Sequence, residues 1–89
     1  MEFRWNEWNL DHIAVHGVSP EVAERVVENA QRPYPEGRED GKLLVIGRGD
    51  GGRWMQVIYV LDDDGTAFVI HARPLDDGEK RRFCRRMRR

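Results

Sequence analysis

The chain has 89 residues and a mass of 10.4 kDa, which excludes a two-domain enzyme, because single domains usually take about 100–150 residues. Hydrophobic residues at 39% and charged residues at 35% leave material for one thin core beneath a heavily charged surface. The formal net charge of −1 excludes a chain that is basic throughout, yet Glu79 to Arg89 holds seven of the 15 basic residues and one of the 16 acidic ones.

Asn6 is placed to cap a short first helix, with Trp5 before the cap and Leu10 at the fourth helical position as a hydrophobic staple. Leu10, Ile13 and Ala14 follow helical spacing, and Gly17 suits the left-handed turn after a helix end. Ser19, Pro20 and Glu21 then start a second helix as cap, first-turn proline and dipole partner. Its apolar face is Val22, Ala23, Val26, Val27 and Ala30.

Prolines and glycines between Gln31 and Gly41 mark a loop, with an irregular edge strand expected around Arg32 to Tyr34. The period then changes to two. Leu43 to Arg48, Arg53 to Leu61 and Thr66 to Arg73 read as strands joined by turns at Gly49 to Gly52 and Asp62 to Gly65. Asp76 and Glu79 have capping-box spacing and open a basic terminal helix. The expected fold is α+β: two N-terminal helices, an antiparallel sheet of three to four strands, and a C-terminal basic helix. The helices would cover one sheet face.

Alternation on the third strand places His71 and Arg73 on one side with Val69, and turns Phe68, Ile70 and Ala72 toward the helices. An imidazole beside a guanidinium can carry a proton next to a phosphate clamp. Arg48 and Arg53 flank the glycine-rich turn and would form an anion site if they lie opposite each other. The basic helix can neutralise phosphates or meet an acidic protein. His12 and His16 are four apart, but no metal-binding pattern completes them. Cys84, the one cysteine, makes no internal disulfide. No run approaches the roughly 20 apolar residues of a membrane helix, and Met1 to Trp5 lacks the order of an export signal, so the expected location is cytoplasmic.

Phe3-Arg4-Trp5-Asn6, His16-Gly17-Val18-Ser19, Leu44-Val45-Ile46-Gly47-Arg48, Ile70-His71-Ala72-Arg73-Pro74 and Glu79-Lys80-Arg81-Arg82-Phe83 occur in this order along the chain. In order and spacing they resemble the BrnT-like toxins of bacterial type II toxin–antitoxin systems, which have a RelE-like ribonuclease fold. The likeness spans nearly the whole chain and implies a single domain over residues 1–89.

The resemblance also implies a metal-independent endoribonuclease that uses the ribose 2′-hydroxyl as nucleophile and is blocked by a cognate antitoxin protein. No cofactor is called for. By position, Arg73 and Arg48 would stabilise the phosphate, and Glu79 or a histidine, His71 included, would move protons. Arg53, Lys80, Arg81, Arg82 and Arg85 would hold the RNA backbone. Asp76, Asp77 and Gly78 stand where the family often has threonine and basic residues, and Phe83 stands for a common tyrosine. Two other readings remain open: a non-catalytic module that binds an acidic protein, and a toxin homologue that has lost catalysis.

Overall fold

Both N-terminal helices begin at the residues whose side chains can satisfy free amides. In the computed structural model, which describes residues 1–88, Asn6 and Asn9 form a reciprocal capping box at the start of α1 (Glu7–Ala14). Ser19 accepts from the Val22 amide at 3.2 Å and Pro20 opens α2 (Pro20–Glu28). Gly17, between them, has φ +71°, a backbone conformation that costs glycine little. The buried face of α2 is Val22, Ala23, Val26 and Val27, as its periodicity predicts, while Ala30, expected to continue it, lies beyond the helix end and is half-buried.

The first helix departs from expectation. It buries Ile13 and Asn9, whereas Leu10 and Ala14 are exposed. Leu10, the expected partner of Trp5 in a staple, is an exposed residue. Trp5 packs against the core, and its indole Nε1 donates to Glu24 on α2 at 2.7 Å.

The strands are β1 (Phe3–Arg4), β2 (Glu36–Gly37), β3 (Leu43–Arg48), β4 (Trp54–Leu61) and β5 (Ala67–Pro74). They form one sheet in the order β1-β5-β4-β3-β2. The sheet thus has five strands rather than three or four, and it is mixed, because β1 runs parallel to β5 while the other pairs are antiparallel. The short edge strand falls at Glu36–Gly37, not around Arg32 to Tyr34. That segment instead holds two cis X-Pro bonds, at Pro33 and Pro35.

Register assigns the two faces. Val45 opposes Val57, which opposes Ala72, and Gly47 opposes Met55. These residues face α2, whose Val26 side chain lies 3.6 Å from where a Gly47 Cβ would stand. The other face carries Leu44, Ile46, Trp54, Gln56, Ile58, Phe68, His71 and Arg73.

The helices do not all cover one face. Asp76 caps α3 (Asp77–Met87), with Glu79 reaching back to the Asp76 amide. This helix packs on the face opposite α2 through Phe83, whose ring centroid is 4.7 Å from that of Trp54. Along β5, α1 sends Ile13 into the core, while Trp8 stacks on Phe68 at 5.9 Å.

Alternation on β5 is broken once. Ile58 pairs with His71 and Tyr59 with Val69, so Ile70 is an extra residue in a bulge. Ala67, Val69 and Ala72 are therefore the buried set, and Phe68 points to the opposite face. The expected inward trio of Phe68, Ile70 and Ala72 is thus corrected, while His71 and Arg73 do share a side.

Candidate functional site

Two adjacent strands and the first turn of a helix bring Gln56, His71, Arg73 and Glu79 together. Gln56 on β4 is the register partner of Arg73 on β5, and His71 lies one position along on the same face. Glu79 reaches them from α3. Its carboxylate accepts from Arg73 Nη1 and Nη2, each at 2.7 Å. Arg73 Nη1 also donates to the Pro74 carbonyl at 3.1 Å.

The Gln56 amide completes the set. Assigned from the hydrogen-bond network, its oxygen accepts from Arg73 Nη2 at 2.9 Å, Arg73 Nε at 3.1 Å and His71 Nε2 at 3.3 Å. All five N–H donors of Arg73 are then engaged. The guanidinium is fixed rather than held open, and any phosphate must replace one of its partners.

His71 is half-buried, and burial lowers its pKa, with the positive charges of Arg73 and His16 acting in the same direction and Glu79 opposing them. This favours the neutral ring at pH 7. Donation from Nε2 to Gln56 leaves Nδ1 as the acceptor nitrogen, which suits a general base. Glu79 is the reverse case: the Arg73 hydrogen bonds and the Asp76 amide push its pKa down to about 2. A carboxylate so weakly basic takes no proton at neutral pH, and its place here is to position Arg73 and to close the cap.

No protein-family model, curated protein or solved structure matches this chain.

The arginines proposed to converge do not all do so. The Arg48 guanidinium lies 4.2 Å over the Trp54 ring and donates to the Gly52 carbonyl at 2.8 Å. Neither it nor Arg53 opposes the other: Arg48 pairs with Trp54, and Arg53 lies in the exposed loop one residue before β4. The expected two-guanidinium anion site at the hairpin end is therefore absent among the described residues.

On α3, Arg82 is a basic residue whose charge helps to hold Glu79 ionised. It lines a cavity of about 230 Å³ with Gln56, Glu79 and Leu44. Lys80 pairs with Asp77 at 3.7 Å, and Arg81 and Arg85 are exposed. Arg86 forms an ion pair with Glu36 instead, tying α3 to the β2 edge. Asp76 is committed to the cap, accepting from the Glu79 amide at 2.8 Å. Phe83 is buried beside Trp54 and Tyr34, where it serves packing.

Gln56 belongs to no sequence motif, and His16, within the His16-Gly17-Val18-Ser19 segment, is not tied to this site by its position in the sequence. Gln56 is the one amide in an apolar strand, and that isolation was the available signal. The His16 ring centroid stands 5.9 Å from that of His71, a closeness set by α1 lying along β5. His12 is used locally, its Nδ1 2.7 Å from the Trp8 carbonyl. No group of three or more His, Cys, Asp or Glu residues among the described residues is arranged to hold a metal ion.

Proposed function

We propose that this domain is a RelE-like, BrnT-like toxin that cleaves RNA without a metal and is neutralised by a cognate antitoxin. The observation that carries the reading is a half-buried histidine held with a clamped arginine around one glutamine amide on the sheet face opposite α2. His71 accepts the proton of the ribose 2′-hydroxyl as that oxygen attacks the phosphorus. Arg73 faces the charge gathering on the phosphorane, with the neutral Gln56 amide yielding to the phosphate while Glu79 stays in place. The 5′-oxygen leaves with a proton from an acid, for which His16 is the nearest titratable ring. The products are a 2′,3′-cyclic phosphate and a 5′-hydroxyl.

Incubation of the purified protein with RNA in chelator, followed by end-group analysis, tests this. Cyclic phosphate ends that vanish in His71→Gln and Arg73→Ala variants are expected, as is growth arrest on expression that Arg73→Ala relieves. Intact RNA at high protein concentration overturns the reading.

The saturated guanidinium of Arg73 favours a second reading, a toxin-like domain that has lost catalysis and acts as a binding module for an acidic protein. There the exposed Arg81 and Arg85 supply the contact. RNA left intact, together with salt-sensitive capture of an acidic partner that Arg81→Glu abolishes, would support it.

A further inference from the structure

A larger cavity of about 570 Å³ opens on the far side of Phe83, between the end of α2, the Trp54 end of the sheet and α3. Its volume is in the range of small-ligand sites. It goes beyond the cleavage reading, because neither His71 nor Arg73 lines it.

Its chemistry is uneven in an informative way. Trp54 and Phe83 form an aromatic wall, with Tyr34 beside them at 6.3 Å from Phe83. Arg48, Arg32 and Arg88 also line the cavity, and no carboxylate of the described residues does. Arg48 and Arg32 have no carboxylate partner among the described residues. The Asn29 and Gln31 amides complete the polar part of the wall.

Tyr34 supplies an independent observation. It is only 6% exposed, and its hydroxyl has no hydrogen-bond partner among the described residues. A buried hydroxyl without a protein partner does not add to the stability of the fold. Burial raises its pKa, and the proton stays available for donation.

Flat apolar rings, guanidiniums without a carboxylate partner and an unused hydroxyl donor match a ligand that is planar at one end and anionic at the other. We propose that this cavity binds a nucleotide, with its base against the Trp54 and Phe83 rings, its phosphate on Arg48 and Arg32, and the Tyr34 hydroxyl donating to it. Bases stack on aromatic side chains without regard to sequence, and guanidinium matches phosphate in charge and shape. Arg48 already lies over the Trp54 ring at 4.2 Å, a position from which it can swing to phosphate as a base takes its place.

Cys84 lines the cavity and is the one cysteine of the chain, so its maleimide labelling rate reports occupancy in the intact protein. The probes are the four nucleoside monophosphates, adenosine, inorganic phosphate, a 2′-O-methyl tetranucleotide that cannot be cleaved, and an acidic peptide. Nucleoside monophosphate or tetranucleotide is expected to slow labelling, with adenosine and phosphate each weaker by about tenfold or more, one lost contact set being worth about 1.4 kcal/mol. Protection by the monophosphates identifies a free-nucleotide site; protection by the tetranucleotide alone identifies a nucleotide within a strand.

Tyr34→Phe is expected to keep or raise the melting temperature and to weaken binding by about tenfold, and Arg48→Met to weaken it without unfolding. Binding unchanged by both substitutions, protection by phosphate as strong as by nucleotide, protection by the peptide alone, or none at millimolar probe overturns the proposal. None of these readouts depends on RNA being cut.

Discussion

Arg73 and Glu79 are joined by two hydrogen bonds of 2.7 Å, and the same carboxylate accepts the Asp76 amide that begins α3 at 2.9 Å. One side chain thus fixes both the guanidinium of the site and the start of the helix that carries the basic residues. Its side chain is 19% exposed and that of Arg73 28%, so the pair is partly shielded from solvent.

Removing Glu79 loosens both elements together. Glu79→Ala is expected to lower unfolding free energy by about 1–3 kcal/mol, from the lost cap and the stranded guanidinium. Glu79→Gln gives the pH dependence. The folded-state pKa is about 2 against an ordinary 4.5, so the stabilisation is fully present above 4.5 and lost as pH falls through 2. Denaturation from pH 7 to pH 2 should show the gap between wild type and Glu79→Gln closing across that window. A gap that widens in acid contradicts the assignment.

His71 should titrate below the usual value of a free histidine, because burial and then the Arg73 and His16 charges disfavour its charged form. Proton NMR of the ring checks this, with a midpoint below about 6.5. Arg73→Gln removes one of the opposing charges and leaves Glu79 nearby, so it should move the midpoint upward. The fold prefers the neutral ring, and this contribution to stability is present above about 6.5 and lost as pH falls through the folded pKa. A midpoint above 6.5 in the wild-type protein removes the case for a neutral base at pH 7.

The caps, the α2 face and the two long antiparallel pairings were legible because each is a local pattern. Ser19-Pro20 and Asp76 with Glu79 read directly as helix starts, and Val22, Ala23, Val26 and Val27 as a buried stripe. The pairing of β1 with β5 joins Phe3 to Ala67, and two residues carry no periodicity to announce so distant a partner. The Ile70 bulge changes which residues face inward without changing the strand's composition. Arg73 and His71, singled out by strand alternation, and Glu79, singled out by the resemblance, do lie together. Gln56 and His16 enter the site only through register and helix placement, and Arg48 leaves it because the Trp54 ring offers its guanidinium a nearer surface.

Gly49 looks like a turn residue, yet its reason for being glycine is packing. Its φ is not positive, and a Cβ there would lie 2.5 Å from Met55 Cγ and 3.1 Å from Val22 Cγ1. Met55 is fully buried, so the contact cannot be relieved by swinging into solvent. Gly49→Ala should cost about 1–3 kcal/mol by overpacking. Combining it with Val22→Ala, which opens room beside it, should cost less than the sum of the two single changes in a double-mutant cycle. Strict additivity would place the strain elsewhere.

Asn9 offers the converse of Glu79, a buried polar group whose neutrality matters. Its side chain is fully buried; the oxygen accepts from the Asn6 amide at 2.7 Å and the Nδ2 donates to the Arg4 carbonyl at 3.1 Å. The second bond ties β1 to α1. Asn9→Asp keeps the shape but aims a carboxylate oxygen at that carbonyl, inside the protein, and should cost about 3 kcal/mol or more at pH 7. Burial raises the pKa of the introduced carboxyl above its unfolded value, so the folded state binds its proton more readily. Stability lost at neutral pH should then return as pH falls through that raised pKa, since a protonated carboxyl can again donate to Arg4. Melting curves of Asn9→Asp and Glu79→Gln, each referred to wild type between pH 7 and pH 4, distinguish the two environments. The Asn9→Asp defect should shrink over that range while the Glu79→Gln defect holds until about 4.5, and a defect at Asn9 that ignores pH would show that the side chain is not sealed from water.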